Sequence, residues 1–148
     1  MKNMTKLIIF SAAFLFLTVL CAVTGESGET EIFEIREKMF IQQCNDINFN
    51  VDEYVGKTVR LEGMYRAYRF TNDSGEVVMH YVYRNTPGCC GDDGMAGFMV
   101  VPEDCPIPEN NAWVEAIGKV EVTGIGLPVL RLSSLKVMDE RGTAFVTR

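Results

Sequence analysis

The sequence has little of the chemistry on which most enzymes depend. It contains one histidine, His80, and one tryptophan, Trp113, and it has no hydrolytic or nucleotide-binding motif. A single histidine without a serine and an aspartate in a recognisable pattern argues against a triad hydrolase. We therefore expect that the protein is not an enzyme.

Positive charge is also scarce. The 14 basic residues include Lys2 and Lys6 of the N-terminal segment, so the rest of the chain carries 12 basic against 20 acidic residues, a net charge of −8. A domain this acidic repels the phosphate backbones of nucleic acids. We expect no nucleic-acid partner.

The N-terminus carries one apolar run. Lys2 and Lys6 precede 17 mostly apolar residues, Leu7–Val23, and small residues follow. This order is typical of a signal peptide, and the run is also close to the shortest length that spans a bilayer. We predict that residues 1–25 are a signal peptide or a membrane anchor, and that the remainder is extracytoplasmic, either membrane-anchored or secreted.

Cys21 raises the hypothesis of a lipidated N-terminus. The preceding Leu20 is bulkier than the glycine, alanine or serine expected at that position. The better interpretation is that Cys21 is one more apolar residue of the leader.

The start of the remaining chain has mixed character. Residues 26–31 are small, polar and acidic, which predicts a linker. We expect Ile32–Ile41 to form a strand or a short helix and Gln42–Asn50 to form turns. Val51–Val55, followed by Gly56, is typical of a helical turn closed by a glycine.

Strand patterns then dominate to the end of the chain. The first strand is long and contains Gly63, where a bulge or sharp coil is expected, and Pro102–Asn111 holds three prolines that exclude regular structure. We predict that residues 32–148 are mainly β, a small five-stranded OB-like Greek-key barrel with short helical turns, preceded by the N-terminal apolar segment. A β-sandwich is the alternative. The predicted strands are Thr58–Phe70, Val77–Tyr83, Met95–Val101, Trp113–Val122 and Val129–Val137.

The most unusual feature is the turn Cys89-Cys90-Gly91-Asp92-Asp93-Gly94 between the second and third strands. Thiolates and carboxylates are metal ligands, and soft thiolates favour zinc or copper(I). We predict a metal site at Cys89, Cys90 and Asp93, with zinc as the expected ion. Further ligands would come from Asp92, Cys105, His80 or Cys44.

Other interpretations of these cysteines stay open. Outside the cytoplasm cysteines usually pair, and Cys44, Cys89, Cys90 and Cys105 allow three pairings. A Cys89–Cys90 disulfide would be strained and redox-active. His80 is by default a surface or hydrogen-bonded residue, and the two aspartates are compatible with simple turn chemistry.

Aromatic residues of the first two strands have arginines among them. Such a group lines the binding face of some barrels, but core packing for the aromatics and a solvated strand face for the arginines are the default interpretation. The aromatics are Tyr65, Tyr68, Phe70, Tyr81 and Tyr83, and the arginines are Arg66, Arg69 and Arg84.

Several short motifs, spread over Ile32 to Phe145, resemble an uncharacterised family of small OB-fold subunits of two-component permeases. The Cys-Cys-x-x-Asp element is the most specific of them. The motifs are Tyr54-Val55-Gly56-Lys57, Leu61-Glu62-Gly63-Met64-Tyr65-Arg66, Tyr83-Arg84, Cys89-Cys90 with Asp93, Trp113-Val114-Glu115 and Gly118.

The resemblance implies an OB-like domain behind a membrane segment and a multi-spanning permease as partner. It also implies a weak association with zinc. Two departures stand out. Members of that family often carry more than one membrane segment, whereas this chain has one apolar run, and the residues between Cys90 and Asp93, usually small, are Gly91 and Asp92 here.

The leading hypothesis is an exported, membrane-proximal binding or accessory module that presents the Cys89/Cys90/Asp93 turn to a metal ion or to a permease-like partner. One alternative is a thiol–disulfide redox protein that uses Cys89 and Cys90. A third is a structural exported domain with an ordinary disulfide.

Overall fold

The structure is a computed structural model, and it describes residues 31–147. The predicted leader, residues 1–25, and the predicted linker up to residue 30 lie outside the described residues. Within residues 31–147, no helix has the length and apolar character that crossing a bilayer requires.

The described residues form six strands, a 3-10 helix and two short α-helices. All of these helices lie between the first and second strands, and the long strands follow. The elements are β1 Ile32–Glu34, the 3-10 helix Glu37–Met39, α1 Phe40–Phe49, α2 Val51–Tyr54, β2 Thr58–Asn72, β3 Gly75–Thr86, β4 Gly94–Val101, β5 Trp113–Val122 and β6 Pro128–Val137.

Strands β2 to β6 close into a barrel. The order along the sheet is β1-β2-β3-β4-β6-β5, and β2 also pairs with β5, which closes the ring. The β4–β6 pair is parallel, and the other barrel pairs are antiparallel. This is a five-stranded Greek-key barrel of the OB type, so the predicted fold class is confirmed. The short β1 adds to the start of β2 in parallel.

The long strand β2 closes the barrel by serving two neighbours. Its first half, up to Met64, pairs with β5, and its second half, from Met64, pairs with β3. Gly63 stays in register opposite Val114, so the expected bulge is absent and the strand instead changes partner at the next residue. A Cβ at Gly63 would lie 2.7 Å from the carbonyl oxygen of Tyr83, which explains the glycine.

One hydrophobic core fills the barrel, and a smaller cluster lies apart from it. The smaller cluster contains Met64, Tyr83 and Trp113, against which Met138 and Ala144 of the C-terminal tail pack. The main core includes Phe40, Ile47, Val59, Leu61, Tyr65, Val82, Phe98, Val100, Val114, Val120, Leu130 and Leu132. Core packing therefore confirms the default interpretation of Tyr65 and Tyr83.

The prediction of turns over Gln42–Asn50 is wrong, because this stretch lies in α1. Phe40, Cys44 and Ile47 follow at helical spacing, and all three are buried in the main core. The residues between them are polar except for Ile41, and no side chain caps the helix at its start, so packing against the barrel rather than local propensity stabilises α1. The helical turn before Gly56 is confirmed as α2, and Gly56 has a φ of 82°.

Strand directions give the barrel two distinct ends. At the first, here called the cysteine end, lie Glu31 before β1, Gly56 and Lys57 before β2, the β3–β4 turn (residues 87–93) and the β5–β6 turn (residues 123–127). At the other, called the hairpin end, lie the β2–β3 turn, the irregular loop 102–112 and the start of the tail after Val137, which then runs back to pair with Asn85 near the cysteine turn. This assignment follows because β1, β2, β4 and β6 all start at the cysteine end, where β3 and β5 finish.

Candidate metal centre

The cysteine turn is a tight loop that two paired strands hold at its base. Thr86 pairs with Gly94 across the last step of the β3–β4 ladder. Inside the loop, the Gly88 N–H donates to the carbonyl oxygen of Gly91 over 2.6 Å. Gly91 has a φ of 128°, which side chains rarely tolerate. The loop therefore needs glycine at this position to turn back.

The turn brings three potential ligand atoms together. The sulfurs of Cys89 and Cys90 and a carboxylate oxygen of Asp93 all lie within 4.8 Å of one another, and all three residues are exposed. The two sulfurs are 3.5 Å apart. Two soft donors and one hard donor at this spacing can hold one cation together.

Gly88 makes room for the Asp93 carboxylate, and Gly94 makes room for Thr86 at the base of the turn. A Cβ at Gly88 would lie 1.9 Å from Asp93 Oδ1, and a Cβ at Gly94 would lie 2.4 Å from Thr86 Oγ1. Any side chain at Gly88 would therefore displace the carboxylate from its place beside the sulfurs. Sequence reasoning did not single out Gly88, although its position directly before the two cysteines was the available signal.

The spacing of the sulfurs fits zinc. With Zn–S bonds of about 2.3 Å, sulfurs 3.5 Å apart subtend an angle of about 100° at the ion, close to the tetrahedral value. A linear two-sulfur copper(I) site would need the sulfurs farther apart. Cys89, Cys90 and Asp93 would thus supply three of four tetrahedral ligands.

The remaining predicted ligands do not join this group. Asp92 lies in the same turn but outside the three-residue cluster. His80 lies on β3 with its Nδ1 2.5 Å from the Tyr65 hydroxyl, and burial, aided by Arg69, lowers its pKa. Cys105 follows β4 at the hairpin end, half-buried against the main core. The structure therefore offers a site with three protein ligands.

Cys44 belongs to the core rather than to the turn. It is 1% exposed, and burial raises the pKa of its thiol to about 12. All four cysteines of residues 31–147 are free thiols in the structure.

Arg84, on the strand that leads into the cysteine turn, is a supporting residue that the sequence analysis did not identify. The default interpretation placed it on a solvated strand face, which is wrong, because Arg84 is 2% exposed. Its guanidinium lies 4.7 Å from the Phe40 ring and 4.8 Å from the Trp113 ring. It donates to Glu62 O (2.8 Å), Glu37 Oε2 (3.0 Å) and Thr143 O (3.3 Å).

These contacts tie β3 to three other parts of the chain just before the cysteine turn begins. Glu37 precedes α1, Glu62 lies on β2, and Thr143 belongs to the C-terminal tail. The Glu37 carboxylate has a lowered pKa because it accepts hydrogen bonds from Thr143 and Arg84. The strand that supports the turn is therefore fixed in position.

Residues 20–147 match the model of one protein family, the DUF1980 C-terminal domain. Because the match covers most of the sequence, the chain belongs to this family. Neither a curated protein nor a solved structure matches the chain.

Proposed function

We propose that this member of the DUF1980 C-terminal domain family is an exported, membrane-proximal accessory module that binds zinc at Cys89, Cys90 and Asp93. The observation that carries the proposal is the approach of three ligand atoms to within 4.8 Å of one another. The glycine at position 88, which leaves room for the carboxylate, supports it.

The exposure of the site indicates an exchangeable ion. Structural zinc sites are closed by four protein ligands, whereas three protein ligands leave one position for water or for a partner's donor atom. The strands on both sides of the turn, with Arg84 at the base, act as a rigid support for the ligands. Such a site suits a module that presents zinc to another molecule.

The partner in this proposal is a permease-like integral membrane protein. The resemblance of the Cys-Cys-x-x-Asp element and its flanking motifs to small permease subunits supports this part. Affinity purification of the full-length chain from detergent-solubilised membranes tests it. We expect a multi-spanning membrane protein to be recovered with the chain. If none is recovered with the wild-type protein, either as purified or after loading with zinc, the proposed partner is contradicted.

A second function draws on the same sulfur pair. Sulfurs 3.5 Å apart can form a Cys89–Cys90 disulfide, in which two thiols lose two protons and pass two electrons to an acceptor disulfide. In a thiol–disulfide redox protein this bond would be strained and easily reduced.

The deciding experiment measures metal and thiols on one sample. The full-length protein is purified in detergent without chelator or added metal, and zinc is measured by elemental mass spectrometry beside a free-thiol titration. We expect near-stoichiometric zinc in the wild type and its loss in Cys89→Ser, Cys90→Ser and Asp93→Asn. Asp92→Asn and Cys105→Ser serve as matched controls and should keep the zinc.

Other outcomes have clear meanings. Absence of zinc with Cys89 and Cys90 already oxidised would contradict the metal function, and a reduction titration would then distinguish a labile redox disulfide from a structural one. A structural disulfide predicts that Cys89→Ser destabilises the fold by roughly 2–5 kcal/mol.

A further inference from the structure

The most exposed large apolar side chains lie at the cysteine end of the barrel. Phe49, at the last position of α1, and Ile125, in the β5–β6 turn, are each 82% exposed, the highest values among such residues in the described chain. Leu127, at the end of the same turn, is 54% exposed. Large apolar groups left this open on loop tips indicate a surface that contacts another apolar phase.

These residues form one surface because α1 lies across the cysteine end. Asn48, next to Phe49, lines the same cavity as Leu127 and Pro128. Ile41 and Asn45, earlier in α1, line a cavity of about 460 Å³ with Pro87 at the base of the cysteine turn. Helix α1 therefore lies between the β5–β6 turn and the cysteine turn.

The chain also enters the domain at this end. Ile32 of β1 pairs with Thr58 at the start of β2, so residue 31 lies on the same side as the cysteine turn. Eight residues, 24–31, separate β1 from Val23 at the end of the apolar run, and eight residues span at most about 29 Å. An anchor in the bilayer would hold this end, and not the hairpin end, close to the membrane.

Charge at the cysteine end favours a neutral lipid surface. The carboxylates of Asp52, Glu53 and Asp92 are exposed there. Lys57 is also exposed at this end, but the carboxylates outnumber it. The net negative charge would repel anionic headgroups, so apolar contact must supply the attraction.

We propose that the cysteine end of the barrel rests on the bilayer surface, with Phe49, Ile125 and Leu127 in the interfacial layer and the Cys89–Cys90–Asp93 turn facing the membrane. This inference rests on the membrane attachment in the proposed function. It adds the orientation, since a zinc ion held at the turn would lie against the membrane and not on the outward side of the domain. Apolar side chains at loop tips bind interfaces in this manner.

The test places single tryptophans at the two ends of the barrel. Ile125→Trp and Phe49→Trp report on the cysteine end, and Ile107→Trp is the matched control on the loop of the hairpin end, where Ile107 is 53% exposed. The full-length chain is reconstituted into phosphatidylcholine vesicles with and without brominated acyl chains. Native Trp113, which is 4% exposed, supplies a constant background that the parent protein measures.

We expect bromolipid to quench the introduced emission at positions 125 and 49, with a blue shift, and to leave position 107 unchanged. Equal quenching at all three positions, or quenching at 107 alone, would overturn the orientation. A blue shift at 125 without bromine-dependent quenching would assign the surface to a protein partner or a second copy, and would overturn the lipid contact.

Two further measurements separate the possible failures. Vesicle flotation reports attachment by itself: a chain that does not float contradicts the membrane attachment of the proposed function, and the inferred orientation fails with it. A chain that floats but is not quenched at position 125 contradicts only the orientation. Zinc content, measured on the same variants, is expected to stay unchanged, because none of the three substitutions touches a ligand.

Discussion

Arg84 and the cysteine turn lie five residues apart and differ in almost every physical respect. Arg84 is buried between two aromatic rings, and its hydrogen bonds reach three distant parts of the chain. Cys89, Cys90 and Asp93 are exposed and contact mainly one another. Arg84 stabilises the fold, whereas the cysteine turn leaves its sulfur and carboxylate atoms accessible. Substitutions in the two regions should therefore differ in their effect on the free energy of unfolding.

The largest stability effect is expected from Arg84→Met. The change removes a buried guanidinium and leaves the carbonyl oxygens of Glu62 and Thr143 without their donor. We expect a loss of about 3 kcal/mol in the free energy of unfolding, measured by urea denaturation. Arg69→Met, at a 68% exposed side chain whose pair with Glu76 spans 3.4 Å, is the control and should cost under about 0.5 kcal/mol. Equal losses in the two variants would show that the buried contacts of Arg84 contribute no more to stability than the exposed ion pair of Arg69 does.

A matched pair of glycine substitutions sharpens the comparison. In Gly97→Ala the Cβ would lie 2.2 Å from Val82 O on a backbone with a φ of 149°, and we expect a loss of about 1–3 kcal/mol. In Gly88→Ala the Cβ would lie 1.9 Å from the Asp93 carboxylate and 2.8 Å from the backbone nitrogen of Gly94, so the carboxylate and the base of the exposed turn must both shift. We expect the metal-free fold to lose less stability than Gly97→Ala does, but zinc content to fall. Full zinc occupancy in Gly88→Ala would argue against a role for Asp93 as ligand.

Alkaline pH should weaken the hydrophobic core. The pKa of Cys44 is raised from 9.0 to about 12 by burial, so the folded state holds this proton more tightly than the unfolded chain does. The resulting stability is complete below pH 9.0 and is lost as pH rises towards about 12. Urea midpoints across that range test this. Tyr54, whose pKa the Asp46 carboxylate raises to about 12, adds an effect of the same sign.

Cys44→Ala isolates the cysteine contribution to this alkaline loss. The variant should retain the part caused by Tyr54 and by Tyr65, whose pKa is also raised by burial. A pH dependence identical to that of the wild type would exclude Cys44 as its source.

The smallest stability effect is expected for the exposed cysteines, and here the readout is reactivity. An alkylating reagent applied to the metal-free protein should modify Cys89 and Cys90 rapidly and Cys44 only after unfolding, since access and thiolate fraction set the rate. Peptide mass spectrometry identifies the sites. Alkylation should leave the free energy of unfolding unchanged within about 0.5 kcal/mol. Early labelling of Cys44 would show that α1 opens readily.

Local pattern predicted the barrel well, because strands are specified by alternation and by the turns between them. The strand Trp113–Val122 has the predicted bounds, and the others differ by one to three residues at most of their ends. The parallel β1 and helix α1 were harder. The three buried residues of α1 lie in a stretch with little helical signal of its own, and the helix forms because the barrel provides a surface to cover.

The candidate site was predictable in part for the same reason. Cys89, Cys90 and Asp93 are neighbours in sequence, so a turn brings them together without long-range help. The burial of Arg84 depends on Phe40 and Trp113, which are 44 residues before it and 29 residues after it. Sequence spacing alone gives no signal for such a contact. The distance of Cys105 and His80 from the turn likewise depends on which end of the barrel each strand reaches.

The double role of β2 has a consequence for the order in which the chain folds. The hairpin of β2 and β3 needs only neighbouring residues, but Gly63 meets Val114 across about fifty residues of chain. Non-local pairings of this kind form slowly because loop closure must precede them. During synthesis, the ring cannot close until β5 has emerged. Until then, half of β2 presents an unpaired edge, which is the kind of surface that chaperones protect.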